Sequence, residues 1–122
     1  MGSAVPKRWG LRRERRIKQA RDFARLRLEG RRLASGCLIA NWRPLPAEAP
    51  SRLGVITSGK LGNAVIRNRA RRLLREAFRL HQFDLGQPIE IVLVARPSLV
   101  GKGFAEVEKD FLTTLRKAGL LK

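Results

Sequence analysis

The sequence predicts an α+β fold: one domain with a small central sheet and helices packed on it, ordered helix, strand, strand, helix, strand, helix. Three observations predict it. A chain of 122 residues, 43% of them hydrophobic, has the length of one domain and can bury a real core. Two stretches, Ala64–His81 and Phe104–Ala118, repeat apolar residues at the helical period. Three β-rich runs, Ala34–Trp42, Leu53–Ser58 and Ile89–Ala95, are set off by glycine and proline.

Met1–Ile17 is polar and basic and reads as a flexible arm ahead of a domain at 18–122; Trp9 and Leu11 are suited to dock it. Lys18–Glu29 reads as the N-terminal helix, with Ala20, Phe23, Ala24, Leu26 and Leu28 as apolar positions and Gly30 as its stop. Ala34–Trp42 reads as one strand, and Pro44, Pro46 and Pro50 mark the loop after it. In Leu53–Ser58, Leu53, Val55 and Thr57 alternate with Gly54 and Ile56. Ser58–Gly62 is a turn, and Asn63 is the N-cap of a long helix over Ala64–His81. Ile89–Ala95 is apolar on both faces except at Glu90, which places it centrally in the sheet. In the last helix Phe104, Val107, Phe111, Leu115 and Ala118 form one stripe, and Gly119 ends it.

The formal net charge is +17. So large a surplus repels itself in the folded state and calls for a polyanionic partner. Arginine supplies 20 of the 27 basic residues, which favours nucleic acid, because its planar fork fits phosphates and stacks on bases. Residues 1–83 hold 21 basic and 5 acidic side chains, against 6 and 5 in residues 84–122. The binding surface therefore lies in the first two thirds. Cys37 is the single cysteine, which rules out an intrachain disulfide and suits a reducing cytoplasm. No apolar stretch approaches the roughly 20 residues of a membrane span.

On a helical wheel of the long helix, Ile66, Ala70, Leu73 and Ala77 share a narrow arc, with Leu74 and Leu80 just outside it. Asn68, Arg71, Arg72, Arg75 and Arg79 lie opposite, flanked by Arg67 and Arg69, and Glu76 is the one acid. Solvated helix faces mix signs, because like charges at i, i+4 destabilise a helix. Here Arg67, Arg71, Arg75 and Arg79 follow one another at that spacing, as an anion-binding face would. Lys60 and the helix N-terminus beside it also favour phosphate. Such contacts give affinity and register rather than sequence readout. Tyrosine is absent, so the expected mode is recognition of RNA shape, with a single strand lying across the sheet.

The run Lys60-Leu-Gly-Asn-Ala-Val-Ile-Arg67-Asn68-Arg69-Ala-Arg71-Arg72-Leu-Leu-Arg75-Glu-Ala-Phe78 resembles the Arg-Asn-Arg segment of bacterial ribonuclease P protein subunits. Arg21-Asp22-Phe23 with Gly30, Ile91–Arg96 and the ending Lys117-Ala-Gly-Leu agree at similar spacing, so the resemblance covers residues 11–121. It implies a left-handed crossover around the long helix, against the general right-handed preference. It also implies a role assisting a catalytic RNA that removes the 5′ leader of precursor tRNA, with Mg²⁺ held mainly by the RNA and the substrate. By position, Lys60, Asn63, Arg67, Asn68, Arg69, Arg71, Arg72 and Arg75 would face the catalytic RNA. Phe23, Arg27 and Asn41 would line a leader cleft. Two of these depart from the family pattern: Arg27 stands where a second aromatic is common, and Asn41 where a tyrosine is. Ala70 replaces a larger aliphatic.

A protein-only nuclease lacks a candidate centre. His81 is the one histidine and sits at a helix end, where it suits the dipole. Glu106, Glu108 and Asp110 read as solvated, and no nucleophile–base pair or metal-ligand spacing appears. The chain is thus expected to carry no catalytic residue, metal site or small-molecule substrate. A structural RNA-binding protein shares the charge and size, and the extended arginine segment separates the two. A membrane-surface role would leave the long helix's apolar face free, but the core needs it.

Overall fold

The computed structural model describes Leu26 and residues 30–122. The expected arm at 1–17, and Phe23 and Arg27 of the expected N-terminal helix, lie outside the described residues. From that helix Leu26 is helical and buried, and the Gly30 N–H donates to its carbonyl at 2.9 Å. A Cβ on Gly30 would stand 2.6 Å from the Trp42 carbonyl oxygen, so only glycine lets the chain pass so close to the sheet.

Four strands form one mixed sheet: β1 (Arg31–Ser35), β2 (Leu38–Pro44), β3 (Arg52–Ile56) and β4 (Ile89–Ala95), in the spatial order β1-β2-β4-β3. Two long helices join them, α1 (Ala64–His81) and α2 (Phe104–Lys117). β2 pairs antiparallel with β1 and β4, while β3 pairs parallel with β4 across the α1 connection. β4 is interior to the sheet, as its two apolar faces require.

The region expected as one strand over Ala34–Trp42 is a hairpin, β1 and β2. Gly36 has φ +58° and sits first in the two-residue turn, which is glycine's place in a type II′ hairpin. The Cys37 N–H donates to Asp110 Oδ2 of α2 at 2.9 Å, from 73 positions away. The turn has no Asn-Gly or Asp-Gly signature, and its polar partner comes from the other end of the chain.

α1 packs on α2 and β3, and α2 packs on β1 and β2, all on one sheet face. The core there joins Leu38, Ala40, Trp42, Leu53, Ile89, Ile91 and Leu93 to Ala70, Leu74, Ala77, Phe78, Val107, Phe111 and Leu115. The other face holds a second, small cluster in which Leu26 packs with Val92, Ile56 and Val94. Alternation along the strands therefore leaves this face for something other than the core.

Candidate nucleic-acid interface

The sequence places the N-cap of α1 correctly: Asn63 Oδ1 accepts from the Ile66 N–H at 3.0 Å. Ahead of it, a short 3₁₀ turn at Gly59–Leu61 is anchored by buried Leu61 and capped by Ser58, leaving Lys60 exposed. This turn follows directly from β3, so the helix N-terminus lies at the Ile56 end of the sheet.

The buried side of α1 is Ala70, Leu74, Ala77 and Phe78, with Ile66 and Leu73 half-buried. That face is rotated by about 50° from the expected stripe, at 100° per residue, toward Phe78. Leu80, expected near the stripe, is exposed. The rotation brings Arg67 and Arg71 beside β3 and its turn. An Arg67 Nη1–H donates to the Gly62 carbonyl, and Arg71 donates to Thr57 Oγ1 and Asn68 Oδ1. These guanidiniums are held partly buried, which limits the freedom they would lose on meeting a phosphate. Asn68, Arg69, Arg72 and Arg75 are exposed. Arg69 and Arg72 line a shallow groove with Leu73, Glu76 and Phe104.

Glu76 pairs with Arg79, the last arginine of this face. Arg79 Nε donates to its carboxylate at 2.9 Å, and that hydrogen bond holds the Glu76 carboxyl below the usual range. The eight expected RNA-facing residues thus spread over the turn and α1, with Arg67 and Arg71 toward β3, Arg69 and Arg72 toward Phe104 of α2, and Lys60, Asn63, Asn68 and Arg75 exposed.

On the sheet face opposite α1 and α2, Leu26, Gly30, Arg32, Asn41, Ile56, Val92 and Val94 line a cleft of about 380 Å³. Asn41, one of the residues assigned to a leader cleft from the sequence, is among its lining residues. Arg32 is its partner across the β1–β2 ladder and joins the cleft beside it. Sequence reasoning missed Arg32, because only the hairpin register puts it next to Asn41.

A row of three charged residues crosses the same face just beyond the cleft. Arg43 and Arg52 are the register partners of Glu90 on either side. Arg43 Nε and Arg52 Nη1 each donate to the Glu90 carboxylate at 2.9 Å, and the Glu90 side chain is 0% exposed. The lone charge in an apolar strand, noticed in the sequence, is a buried carboxylate clamped from both sides.

The acids of α2 and Asp84 all have structural partners. Glu106 accepts from the Gly103 N–H at 3.0 Å in the α2 capping box, and Asp110 holds the hairpin turn. Glu108 Oε2 lies 2.7 Å from His81 Nε2, and Asp84 Oδ2 3.0 Å from His81 Nδ1. Among the described residues no three His, Cys, Asp or Glu side chains group as metal ligands, and none of their helices is long and apolar enough to cross a membrane.

Partial burial pulls the His81 pKa down, but the hydrogen bonds with Glu108 and Asp84 outweigh it and hold it above the usual histidine value. The folded state therefore binds this proton more tightly than the unfolded chain. The stabilisation is complete below the unfolded pKa of about 6.5 and is lost as pH rises through the higher folded value. His81→Gln is expected to lower the melting temperature more at about pH 6 than at about pH 9. Equal losses at both would detach His81 from its carboxylates.

The family model for ribonuclease P matches residues 11–119. The chain is 36% identical over 111 residues to the ribonuclease P protein component of Gluconacetobacter diazotrophicus, covering 88% of this chain and 94% of that one. It is 38% identical over 122 residues to that of Thermus aquaticus, covering 99% of this chain and 69% of that one. Among solved structures, the RNase P protein of Staphylococcus aureus superposes with a TM-score of 0.80 at 28% identity, over 88% of this chain and 98% of that one. The RNase P protein from Thermotoga maritima superposes at 0.75 and 28% identity, over 84% and 96%.

Proposed function

This chain belongs to the ribonuclease P protein family and is a protein component of that endoribonuclease; from this we propose that it works by binding two RNAs on two surfaces. The α1 face, with Lys60, Asn63, Arg67, Asn68, Arg69, Arg71, Arg72 and Arg75, binds the catalytic RNA subunit. The cleft on the sheet face opposite α1 and α2, with Asn41 and the N-terminal helix residues Phe23 and Arg27, takes the 5′ leader of precursor tRNA. The RNA cleaves the phosphodiester, and Mg²⁺ is bound mainly by the RNA and the substrate. No side chain of this chain is assigned to catalysis, and the setting is the cytoplasm.

The observation that carries this reading is the arginine face itself. It stacks like charges along α1, while the one acid of that helix is engaged by Arg79. Such a surface is electrostatically incomplete alone and is completed by a polyanion. The tethered guanidiniums of Arg67 and Arg71 suit phosphates held at fixed positions, as in a folded RNA.

The cleft has a different chemistry. Half-buried Val94 and Ile56 offer apolar surface that suits the faces of unstacked bases, and Asn41 and Arg32 supply hydrogen bonds at its side. Arg27 and Asn41 stand in place of aromatic residues, so charge and hydrogen bonding take over part of the stacking.

Reconstitution tests the reading. Added to a bacterial ribonuclease P RNA, the protein should lower the Mg²⁺ concentration needed to cleave precursor tRNA. It should also favour binding of precursor over mature tRNA. No change in Mg²⁺ requirement would refute the role, and equal binding of the two tRNAs would remove the leader cleft from it. Phe23→Ala should weaken precursor binding more than mature tRNA binding; equal losses would take Phe23 out of the cleft.

A further inference from the structure

We propose that the leader path continues past the cleft to Arg43, whose guanidinium, oriented by buried Glu90, binds a backbone phosphate of the leader distal to the cleavage site. This rests on the leader cleft proposed above.

The placement follows from register. On the cleft face, β4 presents Glu90, then Val92, then Val94. Val94 is level with Ile39 and Ile56, at the end of β3 that leads to the α1 N-terminus. Val92 is level with Asn41, in the middle of the cleft, and Glu90 is level with Arg43 and Arg52 at the far end. Four residues separate Ile56 from Arg52, or about 13 Å along the strand. A strand that leaves the α1 surface and lies along the cleft therefore reaches the charged row next.

The row could be only a staple between β2, β4 and β3. Two features favour a binding role. The Glu90 carboxylate is engaged on both oxygens and 0% exposed, which leaves it nothing to offer a ligand and makes it a fixed support. Arg43 is 24% exposed and, among the described residues, uses only its Nε–H, on Glu90. Its terminal N–H groups sit at the edge of the fork, the part that grips phosphate oxygens. The pattern matches a first contact oriented by a buried second residue.

The test uses holoenzyme reconstituted from this protein and ribonuclease P RNA. Precursor tRNAs carry either a short leader confined to the cleft or one long enough to pass Arg43. Wild type should bind the long leader more tightly. Arg43→Gln should remove about 5- to 10-fold of affinity for the long leader and leave the short one unchanged; its log–log salt slope for the long leader should flatten by roughly 0.7, one single-strand phosphate. Arg43→Lys should keep the slope and lose part of the affinity. Glu90→Gln should reproduce the long-leader loss at temperatures where circular dichroism shows it folded. Equal losses on both leaders, or an unchanged slope for Arg43→Gln, would overturn the proposal. If wild type does not distinguish precursor from mature tRNA at all, the leader cleft itself fails first.

Discussion

Replacing Arg67 and Arg71 together with alanine should lower affinity for the ribonuclease P RNA by about 30- to 150-fold. Each guanidinium removed from a phosphate costs roughly 1 to 1.5 kcal/mol of charge-assisted hydrogen bonding, and the two together make that range. The salt dependence should change as well. Each lost phosphate contact reduces the log–log slope by about 0.9, so the double variant should be shallower by nearly two. Filter binding across a salt series measures both. Stability is the confounder, because Arg71 also donates to Thr57 Oγ1 on the chain leaving β3. That contact is partly exposed and should contribute no more than about 1 kcal/mol. A well-folded double variant with an unchanged slope would take α1 out of the RNA interface.

Phe78→Ala should destabilise the fold by about 3 to 5 kcal/mol, the usual range for a fully buried aromatic. Phe78 is 1% exposed and sits on α1 where that helix meets the sheet and α2. For a domain of this size the melting temperature should fall by more than about 10 °C. Leu80→Ala, on the same helix but exposed, should change it little. Similar losses from both would mean that α1 is rotated back toward the stripe that periodicity alone predicts.

The contrast between Phe78 and Leu80 shows what the sequence could and could not convey. The bounds of α1 were fully legible, because an Asn63 cap and a sustained helical period are local signals. Its rotation was not. Apolar residues occupy more than half a turn, and which of them is buried depends on the sheet behind. β4 was legible for the opposite reason, being apolar on both faces and bounded by Pro88 and Pro97. The β1–β2 hairpin was hidden because its turn is stabilised by Asp110 from α2.

The binding surface divides the same way. The arginine face comes from one continuous helix and could be read from spacing. The cleft comes from register: Arg32 meets Asn41, and Glu90 meets Arg43 and Arg52, only once strands are paired. Of the acids of α2, Glu106 is exposed as expected, whereas the partners of Glu108 and Asp110, His81 and the Cys37 N–H, were hidden because tertiary packing sets them.

Cys37 makes the molecule its own reporter. It is the single thiol, completely buried in the β1–β2 turn, and burial together with Asp110 pushes its pKa up to about 12. In the folded state it is therefore a neutral, shielded thiol, and an alkylating reagent meets a reactive thiolate only when the hairpin opens. The labelling rate under native conditions then measures how often that turn leaves α2, without any engineered probe. Slower labelling on addition of precursor tRNA would register the sheet tightening around its ligand, read from the face opposite the cleft.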